Sequence, residues 1–193
     1  PLPVGIPGSR ETTLEGINPV THRLVDGKAV RRPIAEAKAL MVEAGYPDGR
    51  DAITGKPLVL NYDYYAPPTP ERKPEIDWVV RQFAKLGIQL EVRATDNNQF
   101  QDKVRKGKHQ VFWLGRSADY PDAENFMQLL YGPNAGQENQ SRFRLPEYDR
   151  LYQEARKLPD GRERTAIFGK MQELVVAYAP MRLTQHVVED HAW

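Results

Sequence analysis

Between Leu58 and Gly115 the chain switches repeatedly between two hydrophobic periods, and this constrains its fold more than any other feature. Leu58, Leu60, Tyr62 and Tyr64 alternate with Val59, Asn61 and Asp63, the period of a two-faced strand. Ile76, Val79, Val80 and Phe83 then recur at helical spacing, and Gly87 ends that stretch. Ile88, Leu90, Val92 and Ala94 alternate with Gln89, Glu91 and Arg93 as a second strand. Asp96 followed by Gln99 has the form of a capping box for a helix with Phe100 and Val104 on its core side, closed by Gly107. Residues 109–115 read as a third strand, with Trp113 on its core face. A β-α-β-α-β order predicts an α/β fold, a parallel or mixed sheet flanked by helices with right-handed crossovers.

The flanking segments read differently. Residues 1–32 carry Pro1, Pro3, Gly5, Pro7 and Gly8 without a sustained period, which predicts an irregular, extended entry segment. Pro33 suits the first turn of a helix whose stripe is Ala37, Leu40, Met41 and Ala44, with Gly45 as its stop. Pro67, Pro68 and Pro70 interrupt the chain after the first strand, leaving Tyr62, Tyr64 and Tyr65 as cleft-lining or core residues. Residues 132–145 form a polar loop. Pro146 opens a helix with Tyr148, Leu151, Tyr152 and Ala155 inward. Asp160 is placed to cap another, with Ile167, Met171, Leu174, Val175 and Tyr178 on one face. Pro180 ends it, and residues 181–188 read as a last strand.

Composition narrows the function. With 27 basic and 26 acidic residues the charges nearly cancel, so there is no electrostatic footprint for nucleic acid. Mean hydropathy is -0.65 and no apolar run is long enough for a membrane-spanning helix. The absence of cysteine excludes disulfides, thiolate metal sites and a cysteine nucleophile. His22, His109, His186 and His191 are scattered, and no P-loop, G-x-S-x-G or G-x-G-x-x-G is present, so neither a metal nor a cofactor is expected. The chain begins at Pro1 rather than Met, which reads as a fragment or a processed product.

The chemistry concentrates in Arg116-Ser117-Ala118-Asp119-Tyr120-Pro121-Asp122-Ala123-Glu124-Asn125-Phe126. Three carboxylates fall within six residues, between the third strand and a short helix predicted over 126–131. In open α/β sheets, ligands bind outside the carboxyl ends of strands. Taken alone, Asp119 reads as an Asx-turn or N-cap residue that organises the turn. Asp122 and Glu124 fall where a helix N-terminus favours acidic side chains.

This motif, continued by Leu129-Leu130-Tyr131-Gly132-Pro133-Asn134-Ala135, resembles the family 5 extracytoplasmic solute-binding proteins, the peptide- and nickel-binding receptors of ABC importers. Ala35 through Gly49, Leu86-Gly87-Ile88, Pro146 through Leu151 and Tyr178-Ala179-Pro180 are similar to the family in the same order. The resemblance implies a type II periplasmic-binding-protein-like lobe. Residues 1–32 would enter from a hinge and residues 33–193 would form the second, C-terminal lobe of a two-lobe receptor. It implies a peptide or similar small solute as ligand, an ABC permease and the first lobe as partners, a periplasmic or extracytoplasmic location and no catalysis.

Asp119 would meet the ligand's α-ammonium, with Arg116, Tyr120, Asn134 and Arg142 as further ligand contacts. Two departures stand out. Arg116 replaces a family Trp, and Ala123 a family Pro, so a cation stands where an apolar wall is expected. Two other readings remain open, a sensor domain of a cytoplasmic regulator and a hydrolase using Asp119 with Asp122 or Glu124 as an acid/base pair.

Overall fold

The computed structural model describes residues 2–10, 16–65, 69–115 and 117–182. In chain order its elements are β1 (His22–Val25), β2 (Lys28–Arg31), α1 (Ile34–Glu43), β3 (Val59–Tyr64), α2 (Lys73–Ala84), β4 (Gln89–Ala94), α3 (Asn97–Arg105), β5 (Val111–Phe112), α4 (Ala123–Met127), α5 (Pro146–Ala155) and α6 (Arg162–Tyr178). Their packing divides into two units, Arg32–Arg116 and the combination of Pro1–Arg31 with Ser117–Trp193.

The Arg32–Arg116 unit contains the predicted β-α-β-α-β segment. Its sheet has the order β4-β3-β5, and β3 runs parallel to both neighbours. The parallel alternative therefore holds for the described strands of this sheet. Tyr62, Tyr64, Ile76 and Leu90 are buried at the centre, and Val79, Val80, Phe83, Val92 and Trp113 pack around them. The strand and helix periods thus meet on one face, as the sequence pattern requires.

The opposite face is covered by α3. Its Phe100 and Val104 are fully buried, and Asp96 accepts the Asn98 and Gln99 backbone N–H groups at 3.0 Å each. Lys103 of α3 donates to Asp63, which is 1% exposed.

Two expectations for this unit change. The third strand shrinks from 109–115 to Val111–Phe112. The side-chain carbonyl of Gln110 accepts the Asn61 backbone N–H at 2.8 Å, so a side chain takes the ladder position that Gln110's backbone would otherwise fill. The helix α1 forms and ends as predicted. Gly45 has φ 84°, the Gly45 N–H donates to the Val42 carbonyl and the Tyr46 N–H to the Met41 carbonyl, a Schellman closure. Yet α1 buries none of its residues, and Leu40 is 59% exposed. Its principal neighbour is the 3-10 turn Pro47–Gly49, so its apolar stripe does not face the sheet.

That turn is joined to the α2–β4 junction by backbone against backbone. A Cβ on Gly49 would lie 2.1 Å from the Gly87 carbonyl oxygen, and one on Gly87 would lie 2.1 Å from the Asp48 oxygen.

The second unit is helical. Tyr148, Leu151, Tyr152 and Ala155 of α5 are all buried, matching the predicted stripe, and pack with Ile167, Phe168, Met171 and Val175 of α6. Tyr178 is 59% exposed rather than inward. The start of α6 also differs. Gly161 occupies the cap position without a side-chain bond, because Asp160 turns instead to Arg164 at 2.8 Å.

Residues 2–10 are tied down rather than loose. Leu2 is fully buried, the Gln172 side chain donates to the Gly8 carbonyl at 3.2 Å, and Arg10 pairs with Glu173 at 3.2 Å. Within the segment expected to be irregular, β1 and β2 form an antiparallel hairpin. Its two-residue loop is Asp26-Gly27, with φ 49° and 72°, the positive values that a type I′ turn needs. The strand predicted over 181–188 lies largely outside the described residues.

Candidate functional site

The three carboxylates of the acidic motif lie in the second unit, and Asp122 and Glu124 are held by partners from distant helices. Asp122 caps α4 by accepting the Glu124 N–H at 2.6 Å. Its two oxygens also receive a bidentate pair of bonds from Arg164 of α6, at 2.6 and 2.9 Å. The Arg164 guanidinium reaches the Ala155 carbonyl as well and lies over the Phe168 ring. This cation beside Asp122 holds its carboxyl below the ordinary aspartate value. Glu124 accepts hydrogen bonds from the hydroxyls of Tyr120 and Tyr152. Burial first, and the bond to Glu124 second, push the Tyr152 phenol well above its ordinary value, so it remains a donor. The bond to Glu124 likewise raises Tyr120. At the far end of α4 the buried Tyr148 hydroxyl donates to the Met127 carbonyl at 2.9 Å.

Asp119 is exposed on the turn before this helix, and its Oδ2 accepts from the side-chain amide of Asn125 at 3.3 Å. Tyr120 is 45% exposed. The structure therefore brings Asp119 and Tyr120 together on a short turn fixed by Asp122 and Glu124. The helix starts at Ala123, three residues earlier than predicted, because Asp122 is its cap. Arg116 lies outside the described residues.

Asn134 and Arg142 belong to a second group, the loop over 132–145. Asn139 is its centre. Fully buried, it donates to the carbonyls of Tyr131 and Phe143 and accepts from Ser141 Oγ and the Phe143 N–H. The Asn134 carbonyl accepts the N–H groups of Gln137 and Asn139, and its amide donates to the Gln128 carbonyl at 3.4 Å. Arg142 is exposed with φ 55°, and its guanidinium lies against Gly136. From α5, Asp149 accepts the Gly132 N–H at 2.7 Å and anchors the start of the loop.

Sequence reasoning missed Arg164, Tyr152 and Asn125. The first two are 42 and 28 residues from their carboxylate partners, and nothing local marks them. Asn125 sits inside the motif, where an Asn six residues after Asp119 was the available signal. A cleft of about 120 Å³ lies beside Asp122 and Arg164, lined also by Pro7, Pro121 and Phe168. Drug-sized ligand pockets run to several hundred Å³, so this cleft by itself is too small for a peptide. Among the described residues no His, Asp and Glu cluster could hold a metal ion.

Residues 8–138, more than half of the chain, match the model for bacterial extracellular solute-binding proteins, family 5, middle region. The chain belongs to this family. Its relatives include Heme-binding protein A of Haemophilus influenzae, 29% identical over 154 residues, an alignment covering 79% of this chain and 27% of that protein. Di/tripeptide-binding protein 1 of Pseudomonas aeruginosa is 25% identical over 166 residues, covering 79% of this chain and 30% of that protein. The periplasmic binding protein DppA of Helicobacter pylori, solved with the peptide STSA, matches with a TM-score of 0.71 and 22% identity over 92% of this chain and 31% of its own. The fold of this family 5 protein is thus that of a type II periplasmic binding protein. The chain spans under a third of the length of the relatives it matches.

Proposed function

We propose that this chain is the C-terminal lobe of a two-lobe receptor that captures peptides or similarly small solutes for an ABC importer. On this reading Asp119 receives the α-ammonium of the solute. One observation carries it. Asp119 stands exposed on a turn that the Asp122–Arg164 pair and the bonds of two tyrosines to Glu124 hold in place. A carboxylate held on a fixed turn forms a charge-assisted bond without an ordering cost at the moment of binding. Tyr120 lies beside it, and Arg116, Asn134 and Arg142 are further contacts on the same reading.

The other lobe and a membrane permease are the partners, and the periplasm or cell exterior is the site of action. No bond is made or broken. Arg164 keeps Asp122 ionised, the opposite of what a general acid requires, so the carboxylate pair of a hydrolase is not favoured.

The test is a calorimetric titration of the longer receptor with di- and tripeptides, their N-acetylated forms and hemin. Asp119→Asn keeps the side-chain size and one acceptor while removing the charge. It should weaken free-amino peptides by on the order of 2–5 kcal/mol, much of it from the stranded ammonium. Acetylated peptides, which carry no ammonium, should be nearly indifferent. Equal losses for both classes, or none, would reduce Asp119 to a turn residue.

A further inference from the structure

We propose that Asn125 is a positioning residue of the solute site, holding the Asp119 carboxylate in its binding orientation without touching the solute itself. The proposal rests on the reading of Asp119 as the ammonium anchor.

Burial is the first observation. Asn125 is 0% exposed, whereas Asp119 and Tyr120 are both exposed. It is therefore withdrawn from solvent while the carboxylate it supports is not. Connectivity is the second. The Asn125 amide nitrogen donates to Asp119 Oδ2 at 3.3 Å, and the neighbouring Tyr120 hydroxyl donates to Glu124, the residue before Asn125.

The third observation is anchorage. The helix bearing Asn125 is pinned at its start by the Asp122–Arg164 pair and at its end by the Tyr148 bond to the Met127 carbonyl. Between these points the Asn125 carbonyl accepts from the Gln128 side chain at 3.3 Å. A rotation of Asp119 away from its place therefore breaks a bond to a residue that cannot follow it.

The fourth observation separates positioning from packing. The side-chain carbonyl of Asn125 is buried and has no hydrogen-bond partner among the described residues. A buried acceptor left unpaired is destabilising. If the position served only the core around Ala123 and Met127, an apolar side chain of similar size would fit it better. The polar residue is explained by what its donor end does for Asp119, a local cost retained at a functional position.

The experiment uses the longer receptor with Asn125→Leu, Asp119→Asn and the double variant, titrated with a free-amino dipeptide and its acetylated form, with melting temperatures recorded throughout. Asn125→Leu should weaken the free-amino peptide roughly 10-fold, the size of one charge-assisted hydrogen bond. It should leave the acetylated peptide within about twofold and leave the melting temperature equal or higher, since the unpaired carbonyl is gone. Added to Asp119→Asn, it should cost nothing more, because its effect passes through that carboxylate.

A merely structural Asn125 would instead lower the melting temperature and both affinities together, which overturns the proposal. A selective loss from Asp119→Asn with none from Asn125→Leu also overturns it and leaves the anchor reading standing. No selective loss from Asp119→Asn removes the anchor, and the Asn125 proposal with it. If Asn125→Leu does not fold, Asn125→Ser is read by the same criteria.

Discussion

Replacing Arg164 with Met should both destabilise this chain and erase part of its acid sensitivity. The Arg164 and Asp122 side chains are 14% and 26% exposed, so the pair lies between the surface and buried limits. Exposed pairs are worth at most about 1 kcal/mol, and removing one partner of a buried pair costs about 3–5 kcal/mol. A value of about 2 kcal/mol is appropriate for this geometry. The guanidinium also sits 4.8 Å from the Phe168 ring centre. That contact adds about 0.5–1 kcal/mol. The bond to the Ala155 carbonyl contributes on the order of another 0.5 kcal/mol.

These contributions overlap, and Met restores some of the packing, so the expected loss is about 3 kcal/mol, or roughly 6–12 °C in melting temperature for a chain of this size. The pH dependence is the sharper readout. Asp122 has its folded value depressed below its ordinary 3.8, so its contribution to stability is present above that value. It is lost as pH falls through the lower folded value. The wild-type chain should therefore lose stability below about pH 4 that the variant never had, and the gap between them should narrow in acid. Calorimetric melting of both chains from pH 7 to pH 2.5 measures this. A loss under about 1 kcal/mol at pH 7, or a gap that stays constant into acid, would show that the motif does not depend on this brace.

Two further substitutions probe the other unit. Gly87→Ala places a Cβ 2.1 Å from the Asp48 carbonyl oxygen at a φ of 78°. It should cost at least about 2 kcal/mol in urea unfolding, whereas Gly55→Ala, also at positive φ but with open space around it, should cost less. Lys103→Met strands the buried Asp63 carboxylate, whose Oδ2 already has no partner among the described residues, and should cost about 3–5 kcal/mol. A loss below 1 kcal/mol in the same assay would mean that Asp63 finds water once the lysine is gone.

What could be read from the residues depended on the range over which each signal acts. The strand and helix periods of 58–106 involve neighbours a few positions apart, and Tyr62, Ile76, Leu90, Phe100 and Val104 lie inward as their spacing requires. The α5 stripe succeeds for the same reason. Patterns fail where the partner of a face is not encoded locally. Leu40 has correct helical spacing, but the period says only that a face is apolar, not what covers it. The Asp26-Gly27 hairpin signal was present, yet its strands are exposed on both sides, so no alternation of burial announced them.

The candidate site divides along the same line. That Asp119, Asp122 and Glu124 would cluster was plain from six residues. Which of them would be tied to distant elements was not, because that depends on Arg164 and Tyr152 arriving from helices far along the chain. Those long-range partners turn three chemically similar carboxylates into two fixed braces and one exposed acceptor. An Asn125 in their midst becomes the link between brace and acceptor. Asp119 is therefore no more precisely placed than α5 and α6 allow. A substitution that loosens α6 against α5, far from any solute, should reach binding through Arg164, Asp122 and Asn125.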